Sequence, residues 1–207
     1  MASPQEVYRG LVQRGLTPAQ AWGIVANTHA ESGLNPGINE RNPVVPGSRG
    51  GFGLNQWTGP RRDALEDYMA QRGLPVDDLE GQLDFTLHEL QGPEKAAYAK
   101  LQAADTPEEA AYAYSKYFLR PGHDNTDYRV SLASRMASGD FTTDQLSPGN
   151  RDMSLASLGE EVEPHVRKRP RLFAKQHAAL TDRLGIDEDQ QLGLGGALRQ
   201  LGLSLME

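Results

Sequence analysis

The chain has 207 residues, 38% apolar and 24% charged, with a net charge of −7 and no cysteine. That length can bury the core of one domain with an appendage, or of two small ones, and the missing thiols exclude a disulfide scaffold, a thiolate metal site and a cysteine nucleophile. The acidic balance argues against a nucleic acid as the main ligand, no apolar run is long enough to be a transmembrane segment, and residues 1–6 lack the basic and apolar regions of a signal peptide.

Apolar spacing predicts a first helix over 4–14, with Val7, Tyr8, Leu11 and Val12 on one face. Thr17 then reads as an N-cap, with Pro18 at the first helical position and Gln20 completing a capping box. The helix it opens runs to about Ser32. Trp22, Val25, Ala26 and His29 form its core stripe, while Gly23, Asn27 and Glu31 lie four apart on an offset line. Glu31 is therefore expected to project from a cleft wall with a small residue and an amide behind it.

Residues 33–53 are dominated by Gly, Pro, Asn and Ser and read as a loop with one short hairpin, Val44-Val45 being the only strand-like spot. Helices are predicted over 60–71, 77–90 and 94–103, the second with a stripe of Leu79, Leu83, Leu87 and Leu90. A further capping box, Thr106-Pro107-Glu108-Glu109, opens a helix carrying Ala110, Ala113, Tyr114, Tyr117 and Phe118. Pro121-Gly122 stops it, and 128–137 reads as another helix. Composition shifts after Ser138. The chain thus divides into a mainly helical domain over 1–138, a turn-rich acidic linker over 139–163 and a helical extension over 164–207. Leu194, Leu198, Leu201 and Leu205 recur at helical spacing in that extension, which suits assembly or docking. Its basic cluster, 167–171, could contact phosphates but reads rather as a solvated helix face or an assembly contact.

Two motifs carry chemistry. In His29-Ala30-Glu31-Ser32-Gly33-Leu34-Asn35-Pro36 a glutamate ends an apolar helix just before a Gly/Asn/Pro break. Such a carboxyl group is either a solvated helix end or, if buried beside apolar groups, an acid able to protonate a glycosidic oxygen. In Gly50-Gly51-Phe52-Gly53-Leu54-Asn55-Gln56-Trp57 glycines allow close approach of a ligand, Gln56 offers a donor and an acceptor to a sugar amide, and Asn55 stands beside it. Trp57 offers a stacking face or fills the core. Together they suit a groove that cleaves a sugar polymer. His29 and Glu31 lie two residues apart and point to opposite sides of a helix, and His88, His123, His165 and His177 show no ligand spacing. No metal or cofactor is therefore expected, and no G-x-S-x-G elbow is present.

The order 15–27, then Glu31-Ser32-Gly33-Leu34-Asn35-Pro36, then Gly53-Leu54-Asn55-Gln56-Trp57-Thr58-Gly59 with Arg61-Arg62, resembles the phage tail lysozyme family of the lysozyme-like superfamily. So do Gln82-Leu83-Asp84-Phe85 with Glu89-Leu90, Glu109-Ala110-Ala111 and Arg120-Pro121-Gly122, and the likeness covers roughly 5–137. The resemblance implies a mainly α, α+β lysozyme-like fold in which a small β or loop lip faces the helix bearing the catalytic glutamate. It implies cleavage of the β-1,4 bond between N-acetylmuramic acid and N-acetylglucosamine in peptidoglycan, with Glu31 in the catalytic role. It also implies delivery in the virion, with other virion proteins as partners and the host cell wall or periplasm as the place of action. The Glu-Ser opening and the Gly-Leu-x-Gln turn also look like those of lytic transglycosylases.

Hydrolysis usually needs a second carboxylate, and Glu40, in the predicted lip, is the only one between Glu31 and Asp63. Without it, Glu31 alone can give a proton to the glycosidic oxygen and take one from the sugar's 6-hydroxyl, leaving a 1,6-anhydro end. Ser32 and Gln56 would orient the sugar, and Tyr114 or Tyr117 either reaches the cleft or lies in the core. The expectation is a lytic transglycosylase. The alternatives are a hydrolytic muramidase using Glu31 and Glu40, and a structural virion or ejection protein without activity, a reading that the net charge and leucine-rich tail keep open.

Overall fold

A computed structural model describes residues 1–140 except 44 and 123; the expected linker beyond Asp140 and the C-terminal extension lie outside the described residues. The described part is mainly helical, as the sequence predicts. Helix α1 (Pro4–Gln13) is opened by Ser3, which accepts from the Glu6 amide while the Glu6 carboxylate accepts from the Ser3 amide. Helix α2 (Pro18–Ser32) begins with the expected capping box of Thr17 and Gln20. It ends because Gly33 turns left-handed at φ 61°, a conformation glycine adopts without a Cβ clash. Helices α3 (Gly59–Ala70), α4 (Leu79–Gln91) and α5 (Lys95–Gln102) follow.

Helix α6 (Pro107–Ala113) starts at Thr106, whose hydroxyl accepts from the Glu109 amide, but the Glu109 carboxylate takes its bond from the Asp105 amide, one residue beyond the N-cap. The predicted continuation through Phe118 is a π-helical turn, Tyr114–Leu119, closed where the Arg120 amide donates to the Ser115 carbonyl. Helix α7 (Thr126–Ser138) ends on left-handed Gly139.

Helix α2 is the hub, packed by α1, α6 and α7. Every residue from Gln20 to Thr28 except Trp22 is buried, and Trp22 stacks on Tyr8 with ring centroids 4.4 Å apart. The core is thus wider than the predicted stripe, because the offset line of Gly23 and Asn27 is buried as well. A Cβ on Gly23 would lie 2.5 Å from the Ala110 Cβ and 2.6 Å from the Ala111 backbone nitrogen. Small residues there let α2 and α6 approach almost backbone to backbone, so this face is a helix interface and not a cleft wall.

Among the described residues, the lip between α2 and α3 holds two isolated antiparallel bridges, Asn39 with Phe52 and Phe52 with Trp57. Of the expected strand-like pair, Val45 sits in an exposed bend and Val44 lies outside the described residues; the bridges join Asn39 to the glycine-rich turn and close that turn on itself.

Candidate active site

Glu31 sits on the last turn of α2, with its side chain 17% exposed. Its Oε1 accepts from Arg129 Nη2 on α7 at 2.7 Å, and the Arg129 side chain is only 3% exposed. The rest of the guanidinium is also engaged. Nη1 donates to the Asn27 Oδ1 at 3.2 Å and to its carbonyl at 3.4 Å, and Nε donates to Asn125 Oδ1. Asn27 is fully buried and donates its own amide to the carbonyls of Gly23 and Ala111 at 2.9 and 3.0 Å. The line Gly23, Asn27, Glu31 therefore runs from a tight helix contact, through a buried amide, to a partly exposed carboxylate on the last turn of α2.

The glycine-rich turn is tied to this helix end from behind. Thr28 Oγ1 donates to Asn55 Oδ1 at 3.3 Å, and Asn55 Nδ2 donates to Thr86 Oγ1 at 3.0 Å, joining α2, the turn and α4. Gln82 is completely buried; its Oε1 accepts from the Leu54 amide at 2.9 Å, and its Nε2 donates to the carbonyls of Pro36 and Val76. Gly53 has φ +71° and lies so close to Gln82 that a Cβ would meet its amide at 2.7 Å. No other residue fits between turn and helix at that point.

Gln56 itself is left-handed at φ 50°, half-buried, and donates from Nε2 to the Gly53 carbonyl at 2.9 Å. Trp57 is 1% exposed and packs edge-on against Phe85 at 5.5 Å. Its indole N–H donates to Glu89 Oε2 at 2.6 Å, and Arg61 closes on the same buried carboxylate with two bonds of 2.7 and 2.9 Å. Ser32 is buried and donates to the Thr28 carbonyl at 2.9 Å. Tyr114 is 1% exposed, stacked on Phe118, and burial pushes its phenol well above the ordinary range. Trp57 and Tyr114 thus take the core positions that the sequence reading left open beside the cleft.

The carboxylate of Glu40 turns back on its own loop. Its Oε2 accepts from the Gly51 amide at 3.0 Å, while the backbone of the same two residues pairs at 2.7 Å, Glu40 N–H to Gly51 carbonyl. Arg62 fastens this loop to α3, donating to Asn39 Oδ1 and to the carbonyls of Arg49 and Gly50 at 2.8 to 3.0 Å. Among the described residues, no cluster of three His, Cys, Asp or Glu side chains could hold a metal ion, and no helix is long and apolar enough to cross a membrane.

The sequence reading missed Arg129, although a signal was present. Arg129, Leu132, Ala133 and Met136 follow the i, i+3, i+4, i+7 spacing of a buried stripe, and all four are buried. A charge occupying a core position of an amphipathic helix must find a partner inside the fold, and Glu31, 98 residues earlier, is that partner. Compared with known proteins, residues 3–139 match the family model of the Phage tail lysozyme family. No curated protein matches the chain.

Proposed function

The chain belongs to the Phage tail lysozyme family, and on that premise we propose that it is a virion-associated lytic transglycosylase in which Glu31 is the sole acid and base. Family membership supports the coarser statement, a lysozyme-like, peptidoglycan-degrading protein of the phage tail. The finer reading rests on one observation. Glu31 stands partly exposed on the last turn of α2, one oxygen already held by a buried arginine, three residues after Thr28, which bonds Asn55 of the turn that carries Gln56.

In this reading Glu31 protonates the oxygen of the β-1,4 bond between N-acetylmuramic acid and N-acetylglucosamine. The C1–O bond breaks as the muramyl 6-hydroxyl oxygen bonds to C1, and the hydroxyl proton returns to Glu31, leaving a 1,6-anhydro end. Gln56, half-buried with its Nε2 bonded to the Gly53 carbonyl, is assigned the role of meeting a sugar amide. Ser32, Asn55, Trp57 and Tyr114 support that surface from beneath, since each is buried. The Glu40 carboxylate is turned onto its own loop, with Oε2 accepting from the Gly51 amide, which supports the single-carboxylate route over hydrolysis by a Glu31 and Glu40 pair. The segment beyond Asp140 is assigned to docking on other virion proteins.

Digestion of purified peptidoglycan with mass analysis of the products tests this directly. Anhydro-muramyl ends are expected; reducing ends would move the assignment to a muramidase. Full cleavage by Glu31→Gln, or none by the wild-type chain, would overturn it.

A further inference from the structure

We infer that Arg129 is the positioning residue of the Glu31 carboxyl group, an inference that rests on Glu31 being the acid and base proposed above. Bonds to Asn27 and Asn125 tie Arg129 into the fold, but the packing of α7 does not call for a charge there. Its neighbours on the inner face of α7, Leu132, Ala133 and Met136, are apolar and buried, and an apolar side chain would complete the stripe without desolvating a charge.

What the arginine adds is orientation. Its planar fork is held along three edges, by Asn125 Oδ1 at Nε, by Asn27 at Nη1 and by Glu31 Oε1 at Nη2. Asn27 is itself fixed by the carbonyls of Gly23 and Ala111. With Oε1 engaged by the guanidinium, Oε2 is the oxygen turned to a substrate, and it both gives the proton to the glycosidic oxygen and receives the one leaving the 6-hydroxyl. Between those events the carboxyl group carries a full negative charge. The guanidinium already stands at 2.7 Å and offsets that charge without reorganising, the condition under which a fixed dipole or charge accelerates a step.

Steady-state kinetics of the full chain on soluble glycan strands test the inference, with thermal unfolding as a check on the fold. Arg129→Gln should lower kcat about 100-fold with KM changed by less than about threefold. Arg129→Lys should recover part of the loss, because an ammonium supplies the charge without the fork. Asn125→Ala should lower kcat several-fold; its side chain makes no capping bond to α7, so the helix start does not depend on it. A folded Arg129→Gln protein with kcat within about twofold of wild type, or one that loses only KM, overturns the inference. If Arg129→Gln does not fold, an unchanged kcat in Asn125→Ala overturns it instead. Glu31→Gln separates the two levels: an active Glu31→Gln protein overturns the proposed function, whereas an inactive one beside a fully active Arg129→Gln overturns only the role of Arg129.

Discussion

The Trp57 indole donates to Glu89 Oε2 at 2.6 Å, and Arg61 grips the same carboxylate from the other side. This buried contact joins the end of the lip to α4, and through the Phe118 carbonyl, which accepts from Arg61 Nη1 at 3.2 Å, to the π-helical turn. Removing Glu89 leaves an indole N–H orphaned in the core and takes the counter-charge from Arg61, which is 28% exposed. Glu89→Ala is expected to cost about 2–3 kcal/mol, most of it from the unsatisfied buried indole, read as a shifted urea midpoint. A loss below about 1 kcal/mol would mean that water replaces the carboxylate.

Glu31→Gln should behave differently from a catalytic substitution at an exposed site. The glutamine can still accept a bond from Arg129, but the guanidinium, 3% exposed, loses its counter-charge. We expect abolished cleavage together with a stability loss of about 1–3 kcal/mol, and a larger loss in Glu31→Ala. A Glu31→Gln protein more stable than wild type would show that the pair is strained rather than supporting.

Glu40 offers a sharper separation of the two chemistries. Glu40→Gln keeps an acceptor for the Gly51 amide, so the lip should persist. Cleavage and anhydro ends are expected to be retained, as judged by mass analysis of the products. Loss of activity with an unchanged unfolding midpoint would assign Glu40 a chemical role.

Much of this arrangement was legible along the chain because it is local. Thr17 and Gln20 announce the start of α2, Gly33 announces its end, and Gly53 with Gln56 announces a tight polar turn. What could not be read is what faces what. Spacing alone makes Gly23 and Asn27 the back of a cleft, whereas α6 packs against them, since helical spacing specifies a face but not its neighbour. Trp57 and Gln56 are adjacent in sequence, yet the turn sends one into the core and leaves the other half-buried at the lip. The pairing of Glu31 with Arg129 spans 98 residues, beyond the reach of any capping or i, i+4 rule.

Gly23 shows how packing overrides propensity. An alanine in a helix interior is favoured over glycine by about 1 kcal/mol. Here its Cβ would lie 2.5 Å from the Ala110 Cβ and 2.6 Å from the Ala111 nitrogen, and a backbone neighbour cannot rotate away. Gly23→Ala should therefore be net destabilising, by about 1–3 kcal/mol, and should displace Asn27 from the Ala111 carbonyl. A stabilised variant would require α6 to move without loss.

Asp124 predicts a pH dependence with a defined sign. The Lys116 ammonium at 2.6 Å, then the hydroxyl and amide of Thr126, hold its carboxyl group down at about 2, against an ordinary value of 3.8. A carboxyl group depressed in the folded state contributes stability above its unfolded value, and that contribution disappears as the pH falls through the folded one. The side chain is 65% exposed, so solvent screening limits the contribution to about 0.5 kcal/mol. The stability difference between wild type and Asp124→Asn should be present at pH 7, shrink from about pH 4 downward, and vanish near pH 2. It should also narrow in high salt. Urea midpoints measured from pH 7 to 2 check this, and a difference that stayed constant across that range would show that the asparagine acts through packing rather than through charge.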